Sequence, residues 1–566
     1  MDAGFGEAVA AQACGTNQTA THTMGLIVAR AADSCDYALV VSGDSCASLV
    51  MKCGITAAEL TEYNPSDSLC SLPDLAPQPN EDGTCYSYTV QSGDYRALLA
   101  EENYITTDDL EDYNGQNWGW MGCSNLQLGS VICLSSGDPP MPAAVSNAVC
   151  APQVEGTERP SDWDDLSSLN PCPLNACCNF WGQCGIAPEF CTVSESETGA
   201  PGTSAPGENG CTSNCGIEIV NNNTAPTENL NIGYFETFGV DHSCLAMDAS
   251  QLPSAYSHVH FAFGQISTDF NVNLAGYEEQ CETFANQTYF KRILSFGGWS
   301  FSTDLDSYPI FREGVIDANR LTFAQNVVEF VERYNLDGVD LDWEYPGAPG
   351  IPGAPPGNEM DGPNYLSFLK TGFSIAEMTK VLDYIVYMAY DLHDQWDYDN
   401  SFVNPGCPDG NCLRSHVNLT ETEYALAMIT KVGVPANKIA VGIASYGRSF
   451  GMEDSSCTGP DCFFTGPNST AVPGDCTATA GYISQAELEQ FTTEATSLRR
   501  RDVTTWYDSE TDSDMTTYGD GTWVAYITQS TKASRINRYA NSTATWMITM
   551  VSPETLSVLG LGLASG

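Results

Sequence analysis

Basic residues are scarce in this sequence. The chain of 566 residues carries 21 lysines and arginines against 72 aspartates and glutamates, which gives a formal net charge of −51 at pH 7. A charge of this sign repels the phosphate backbone of nucleic acids and the surface of anionic membranes. The composition therefore predicts no nucleic-acid partner and no membrane partner, and it favours a neutral or cationic ligand.

Long apolar runs are also missing. The longest apolar stretches, such as Val381 to Tyr390, fall well short of the roughly 20 residues that span a bilayer. The start, Met1 to Cys14, has neither a basic segment nor a continuous apolar segment, so it does not read as a signal peptide. We expect no transmembrane helix and see no signal peptide in this chain.

Cysteine, by contrast, is abundant. Most of the 23 cysteines lie in the first 215 residues, which predicts a disulfide framework and an oxidising compartment. Six Asn-x-Ser/Thr sequons agree with a secreted, extracellular protein; they begin at Asn17, Asn222, Asn286, Asn418, Asn468 and Asn541. With six histidines and no paired Cys-x-x-Cys motif of zinc-finger spacing, we predict no metal site and no cofactor.

The chain contains an internal repeat, and its length predicts two to four domains. A shift of 50 residues superimposes ten positions without a gap. In the first copy these are Val40, Ser42, Gly43, Asp44, Leu49, Ile55, Thr56, Leu60, Tyr63 and Asn64; in the second they are Val90, Ser92, Gly93, Asp94, Leu99, Ile105, Thr106, Leu110, Tyr113 and Asn114. Each copy predicts a strand, a turn, two helices and a closing strand.

Residues 35–70 and 85–133 resemble the LysM module on these repeated positions. The resemblance implies binding to polymers of N-acetylglucosamine. The alternative is a pair of structural spacers, because Gly43 and Asp44 would be needed for the fold whether or not a sugar binds.

A second cysteine cluster follows within residues 150–215. It contains Cys172, Cys177, Cys178, Cys184 and Cys191, and its spacing resembles the hevein-type chitin-binding domain. The resemblance implies that Asn179 hydrogen-bonds a sugar and that Trp181 and Phe190 stack on it. Cys150, Cys211 and Cys215 are expected to complete the module, and Gly199 to Gly210 is predicted as a loop or flexible linker.

Short β-rich segments alternate with helical segments from Asn231 onwards, which predicts a β/α barrel over residues 230–566. The candidate strands are Asn231 to Phe235, His258 to Gly264, Arg292 to Phe296, Gly338 to Glu344, Tyr384 to Tyr390, Lys438 to Tyr446 and Thr545 to Thr549. The chemistry of such barrels lies at the C-terminal ends of the strands.

One predicted strand carries three carboxylates on one side. Side chains alternate along a strand, so Asp340, Asp342 and Glu344 project together. Repulsion among close carboxylates raises the pKa of at least one of them, which lets it keep a proton near neutral pH. Glu344, nearest the mouth, is the predicted proton donor. A calcium-binding strand is the alternative, although calcium ligands usually come from loops.

Asp337-Gly-Val-Asp-Leu-Asp-Trp-Glu344 resembles the signature of glycoside hydrolase family 18 chitinases. Three further ordered segments support the resemblance: Ser295 to Ser300, Met388 to Asp391, and Ser445 to Arg448. Together with the LysM-like and hevein-like segments, it points to fungal chitinases of the killer-toxin-like type. It implies the hydrolysis of β-1,4 bonds in chitin or chitooligosaccharides.

The resemblance also implies roles for individual residues. Glu344 would protonate the glycosidic oxygen while the acetamido oxygen of the substrate attacks the anomeric carbon, with retention. Asp342 and Tyr390 would hold the acetamido group, and Asp340 would share the proton or charge of Asp342. Further sugar contacts would come from Gly298, Trp299, Tyr345, Met388, Asp391 and Trp546. For the first five of these residues, a role in packing alone is the alternative.

Two departures qualify this picture. Between Glu344 and Tyr384 we find no fifth strand, and Trp546 stands outside the usual closing motif of the family. The predicted fold is therefore multidomain: a (β/α)8 TIM-type barrel lacking its fifth strand, with an α+β insertion at about 450–522, preceded by the three small modules. The alternative function is a non-catalytic or weakly active chitin-binding protein.

Overall fold

The computed structural model of the chain describes residues 26–31, 34–39, 46–63, 76–160, 165–226, 230–241, 244, 246–351, 353–369, 382–401, 403, 406–498, 503–519 and 521–541. These residues form two compact units, within 1–217 and 218–566. Within the described ranges, every helix is too short or too polar to cross a membrane.

In the first copy of the repeat the structure describes one strand and two helices, and an earlier strand completes a hairpin. The predicted closing strand of this copy lies outside the described residues. Strands β1 (Leu26–Ala31) and β2 (Ser34–Leu39) pair antiparallel. Helices α1 (Cys46–Cys53) and α2 (Ala57–Tyr63) follow, and Thr56 begins the second of them. The Thr56 hydroxyl accepts from the backbone N–H of Glu59, whose carboxylate accepts from the backbone N–H of Thr56. This reciprocal cap satisfies two free donors of the helix start.

The second copy has the predicted order of strand, helix, helix and strand. Its elements are β3 (Ser87–Thr89), α3 (Arg96–Glu102), α4 (Thr107–Asn114) and β4 (Val131–Cys133). The two strands pair antiparallel, and a disulfide joins Cys85 to Cys133. Thr106 and Asp109 form the same reciprocal cap as in the first copy. Leu99 and Leu110 are buried, so the apolar positions of the repeat correspond to core residues of the module.

The cysteine-rich segment is a small three-stranded sheet held by disulfides. The strand order is β6 (Cys184–Gly185), β5 (Cys177–Asn179) and β7 (Cys211–Ser213), with the short helix α5 (Pro188–Cys191) beside them. Its eight cysteines form four bonds: Cys150–Cys178, Cys172–Cys184, Cys177–Cys191 and Cys211–Cys215. Every cysteine that the sequence assigns to this segment is therefore paired.

A strap, residues 194–206, joins this segment to the second repeat copy. The predicted linker has no helix or strand, yet it is packed rather than free: Ala200 is buried in the core of the repeat copy. The Thr198 hydroxyl donates to the carbonyl of Trp120 (2.6 Å), and the backbone N–H of Gly119 donates to Pro201 (2.8 Å). Trp118 of the second repeat copy packs among the cysteines of the disulfide-rich segment.

The second unit begins with a parallel sheet. Strands β8 (Ile232–Glu236), β9 (His258–Ile266), β11 (Lys291–Gly297) and β12 (Gly338–Asp342) pair in that order, and β10 (Val272–Asn273) forms a short antiparallel edge on β9. Its helices are α6 (Glu278–Ala285), α7 (Trp299–Thr303), α8 (Tyr308–Gly314), α9 (Arg320–Arg333) and α10 (Asp361–Phe368). Apolar residues of the strands and helices form one large core.

A second parallel pair follows the first sheet. It consists of β13 (Ile385–Tyr387) and β14 (Ile439–Val441), with α11 (Leu419–Lys431) between them in sequence. Ile232 of β8 and Ala440 of β14 share a core cluster, so β14 lies next to the first strand of the sheet. The prediction of one strand over Lys438 to Tyr446 is wrong, because Tyr446 begins a strand of another sheet.

That other sheet is antiparallel and five-stranded. Its order is β16 (Tyr482–Ser484), β15 (Tyr446–Gly451), β19 (Thr522–Tyr526), β18 (Ser513–Tyr518) and β17 (Thr504–Asp508). Helix α12 (Gln485–Leu498) accompanies it, and α13 (Gln529–Asn541) follows. Disulfides join Cys457 to Cys462 and Cys476 to Cys244. This α+β arrangement occupies the segment in which the sequence predicts an insertion.

The region of the predicted missing strand is only partly described. Residues 353–369 contain helix α10 and no strand, whereas 370–381 lie outside the described residues. In the described ranges, β12 pairs with β11 on one side and with no strand on the other. Thr545 to Thr549, the last predicted strand, also lies outside the described residues.

Candidate active site

The end of β12 is fixed by its neighbour β11. Gly297 lies opposite Asp342, and a side chain at Gly297 would collide with the carbonyl of Asp342. The backbone N–H of Gly298 donates to that carbonyl (2.9 Å), and the backbone N–H of Glu344 donates to the hydroxyl of Ser302 (3.0 Å). The predicted sugar contact Gly298 therefore also positions the carboxylates of the strand.

Asp340 lies deepest of the three carboxylates. Its Oδ2 accepts from the hydroxyls of Ser295 (2.7 Å) and Tyr234 (3.1 Å), and it lies 3.2 Å from Nδ1 of His260. Burial opposes ionisation, but the His260 imidazole and these hydrogen bonds outweigh it, so the pKa of Asp340 is lowered. Asp340 is thus a half-buried carboxylate whose contacts favour its charged form.

Asp342 and Glu344 behave in the opposite way. Burial, followed by the nearby charges of Glu344 and Asp340, raises the pKa of Asp342. Burial also raises the pKa of Glu344; a hydrogen bond with Tyr345 opposes the shift and the charge of Asp391 adds to it. Because the two carboxyls interact, they titrate as a pair. One strand end therefore combines an anion with two groups that hold protons near neutral pH.

Tyr390 and Asp391 follow β13 and face the same cleft. The ring of Tyr390 lies against Gly442, where an added Cβ would be 2.5 Å away. Burial and then the charge of Asp342 raise the pKa of the Tyr390 hydroxyl well above its usual value, so it remains a donor. Asp391 has a φ of 57°, in the left-handed region that few residues other than glycine adopt.

Asp391 is held as an anion by partners that the sequence analysis did not single out. Its Oδ1 accepts from the hydroxyl of Tyr446 (2.7 Å) and from Nε of Arg448 (2.7 Å), and buried His416 lies beside it. Burial opposes its charge, but His416 and Arg448 outweigh burial and lower the pKa of Asp391. Arg448 also contacts Asp394 (2.7 Å).

A cleft of about 2110 Å³ lies at the ends of these strands. The predicted residues that the structure brings to it are Asp340, Asp342, Glu344, Tyr390, Gly298, Trp299, Tyr345, Met388 and Asp391. Trp299 and Tyr345 are about half exposed (52% and 47%), which leaves their rings available to a ligand. Trp546 lies outside the described residues.

Several residues of the cleft were missed by the sequence analysis. His260, Tyr234, Ser295 and Arg448 act through contacts between distant strands. The quoted motif segments contain Ser295 and Arg448, but His260 and Tyr234 carry no motif. Trp396, with 49% exposure and the Arg448 guanidinium 5.0 Å from its ring centre, is a further aromatic of the cleft.

The residues predicted to bind sugar in the cysteine-rich segment differ in exposure. Trp181 is 49% exposed and tilts against Phe180, with ring centres 4.2 Å apart. Phe190 is half-buried and covers Gly185. Asn179 departs from the expectation of a sugar contact: its side chain is buried and accepts from the backbone N–H groups of Trp181 and Gln183, so it shapes the turn.

The chain resembles several larger fungal proteins. It is 45% identical to "Secreted chitinase LysM12" of Penicillium expansum over 92% of this chain and 37% of that protein. It is 42% identical to "Probable chitinase LysM18" of the same organism, over 93% of this chain and 39% of that protein. It is 35% identical to "Killer toxin subunits alpha/beta" of Kluyveromyces lactis, over 87% and 43%. The chain thus spans about two fifths of the length of these relatives.

A family profile covers the second unit. The profile of the glycosyl hydrolases family 18 matches residues 231–372 and 354–546, and these two segments include both β12 and the Tyr390–Asp391 pair. The carboxylates of the cleft, the killer-toxin-type relatives and this match agree. The chain belongs to the glycosyl hydrolases of family 18.

Proposed function

We propose that the chain hydrolyses β-1,4 bonds in chitin or chitooligosaccharides, with retention and with the substrate's acetamido group as nucleophile. The observation that carries the proposal is the arrangement at the end of β12, where Asp340 contacts Ser295, Tyr234 and His260 and lines one cleft with Asp342 and Glu344. The pKa shifts agree with it, because the pKa of Asp340 is lowered and those of Asp342 and Glu344 are raised. Hydrolysis by this route needs one acid and one group that stabilises positive charge.

Each residue of the cleft takes one task in this mechanism. Glu344 donates its proton to the glycosidic oxygen. Asp342 and the hydroxyl of Tyr390 orient the acetamido group, so that its oxygen attacks the anomeric carbon as the bond breaks. The ionised Glu344 then accepts a proton from water, which opens the cyclic intermediate and retains the configuration.

The first unit and the cleft together indicate which ligands the chain binds. We propose that chitin and N-acetylglucosamine oligomers bind the two LysM-like segments, 35–70 and 85–133, and the hevein-like segment, 150–215. Exposed Trp181 supplies a stacking surface there, and Trp299 and Tyr345 supply others in the cleft. The disulfides and the secreted relative support an extracellular location.

The experiment is hydrolysis of colloidal chitin and of a chitooligosaccharide by the wild-type chain and by Glu344→Gln. Loss of general acid catalysis is expected to reduce the rate by about 100-fold or more. Glu329→Gln is the matched control, because the Glu329 side chain is 74% exposed and does not line the cleft. Equal product release by wild type and Glu344→Gln would exclude Glu344 as the proton donor.

A second candidate is a chitin-binding protein with weak or absent turnover. It is favoured by the profile match, whose two segments overlap at 354–372, where the sequence predicts the loss of one β/α unit. The loss of one β/α unit would remove a segment that packs beside Tyr390. A displacement of about 1 Å in an active site costs roughly 100-fold in rate. Binding would suffer less than catalysis.

Retention on insoluble chitin separates the two candidates. Linked modules raise avidity by about 100-fold or more, so deletion of residues 1–217 is expected to reduce retention strongly. A wild-type chain that is retained but releases no more sugar than Glu344→Gln supports the second candidate. Unchanged retention after the deletion would show that the first unit contributes nothing to binding.

A further inference from the structure

His260 is a fully buried histidine that the mechanism above does not use. It lies on β9 and its ring is 4.5 Å, centre to centre, from the ring of Tyr234. Its Nδ1 lies 3.2 Å from Oδ2 of Asp340 and 3.2 Å from the hydroxyl oxygen of Ser295. Its Nε2 lies 2.7 Å from the hydroxyl of Tyr384. Both ring nitrogens are therefore engaged inside the protein.

The neighbours of His260 determine which nitrogen carries hydrogen. Ser295 donates its only hydroxyl hydrogen to Asp340, so toward His260 the Ser295 oxygen can only accept. Asp340 as a carboxylate can also only accept. Both atoms near Nδ1 are acceptors, which requires an Nδ1–H group. The hydroxyl of Tyr384 can donate to Nε2 of the neutral ring or accept from Nε2–H of the charged ring.

The groups that face His260 come from four elements. They are Asp340 on β12, Tyr234 on β8, Ser295 on β11, and Tyr384 immediately before β13; His258 lies on its own strand, with its ring 5.7 Å from that of Tyr384. Asp342 adds negative charge next to Asp340. Tyr384 stays neutral, because burial and the charges of Asp340 and Asp383 raise the pKa of its hydroxyl.

We propose that His260 is a positioning residue that keeps Asp340 ionised, so that Asp340 supplies a negative charge to the cluster before Glu344 gives up its proton. The inference rests on the proposed function. Asp342 and Glu344 hold protons near neutral pH, whereas the transition state at the sugar carries positive charge. Protonation of Asp340 would remove the remaining anion from the cluster.

The test compares the pH dependence of kcat/KM for wild type, His260→Gln and His260→Asn. Asn places its amide near the position of Nδ1 and can still donate to Asp340, whereas Gln places its amide near Nε2. In His260→Gln the pKa of Asp340 is expected to rise, which moves the acidic limb of the profile upward by about one pH unit or more. His260→Asn is expected to keep the wild-type limb.

Two outcomes overturn the inference. If His260→Gln lowers kcat at every pH without moving the acidic limb, His260 only fills space. If both variants move the limb equally, the contact at Nδ1 is not responsible. A thermal unfolding midpoint within a few degrees of wild type is required of each variant before its profile is interpreted.

A second measurement does not depend on activity. The full chain is labelled with ¹⁵N-histidine, the His260 signals are assigned from the His260→Asn variant, and the protonation of each ring nitrogen is read from its shift. Hydrogen on Nδ1 in wild type, with Tyr384→Phe changing the Nε2 signal, supports the inference. Hydrogen on Nε2 alone overturns it. If the wild type releases no sugar at any pH, the proposed function fails while this measurement still decides the role of His260.

Discussion

Two groups of carboxylates face the same cleft and differ in their protonation. At the end of β12, none of the ion pairs between described residues includes Asp342 or Glu344, and burial raises the pKa of both. After β13, Asp391 is similarly enclosed, but Arg448 contacts it at 2.7 Å and its pKa is lowered. The residue type is the same or nearly so, and the partner decides which group can act as an acid.

Removal of the cation should have the largest effect. Arg448→Met leaves half-buried Asp391 and buried Asp394 without their shared cation, which is expected to reduce the free energy of unfolding by about 3 kcal/mol. The measurement is denaturant unfolding near neutral pH, with Arg333→Met as control, because Arg333 and Glu329 form an exposed pair.

The double variant Arg448→Met, Asp391→Asn sharpens the same comparison. It removes the charge of Asp391 but leaves buried Asp394 without its cation, so it is expected to recover part of the lost stability. A double variant as unstable as Arg448→Met alone would contradict the assignment of the loss to Asp391 and would point to Asp394 or to lost packing of the guanidinium on Trp396.

The pH dependence of wild type should show the next largest effect. Burial raises the pKa of Glu344, which titrates together with Asp342, so the pair holds protons near neutral pH and loses them as the pH rises further. We expect kcat/KM on a chitooligosaccharide to fall about tenfold for each pH unit above this transition. Asp391, with its lowered pKa, adds no transition in this range. A rate that stays constant up to pH 9 would show that Glu344 does not carry the transferred proton.

A smaller effect on activity is expected from a change beside Tyr390, which lies between the two groups of carboxylates. Gly442→Ala places a Cβ against the ring of Tyr390, whose hydroxyl lies near the charges of both Asp342 and Asp391. The added Cβ is expected to displace the Tyr390 ring from its place beside the substrate's acetamido group, and we expect about a fivefold loss of kcat/KM.

Gly362→Ala is the matched control for this variant. Gly362 lies in α10 and has no atom within 4 Å of an added Cβ. Unchanged kinetics of Gly442→Ala would show that Tyr390 can move without consequence.

The sequence was informative where a pattern is local. The alternation along β12 predicted which carboxylates share a side, and the repeat predicted the order of elements and the buried leucines of the second copy. The first signal depends on residues two positions apart, and the second depends on two similar segments 50 positions apart. Partners that arise from tertiary contacts could not be predicted: His260 and Asp340 are 80 positions apart on different strands, and Arg448 reaches Asp391 from a different sheet.

Composition was a weaker guide than spacing. The glycine, proline and serine content of residues 199–210 predicted a loop or flexible linker, and these residues do lack helix and strand. The segment around them is held in place by Thr198, Ala200 and Pro201. These three residues contact the second repeat copy, which lies about 80 positions earlier in the sequence. A local pattern carries no information about such contacts.

The strap that joins the second repeat copy to the cysteine-rich segment limits how these modules can be inherited. Trp118 belongs to one sequence module, yet it packs in the core of the other, against Cys150 and Cys178. The first copy has Ser68 at the position equivalent to Trp118. A recombination event that moved residues 85–133 alone would transfer a large apolar side chain without its binding partners. The unit that evolution or an engineer can exchange intact is therefore the pair of modules, from about residue 76 to residue 217.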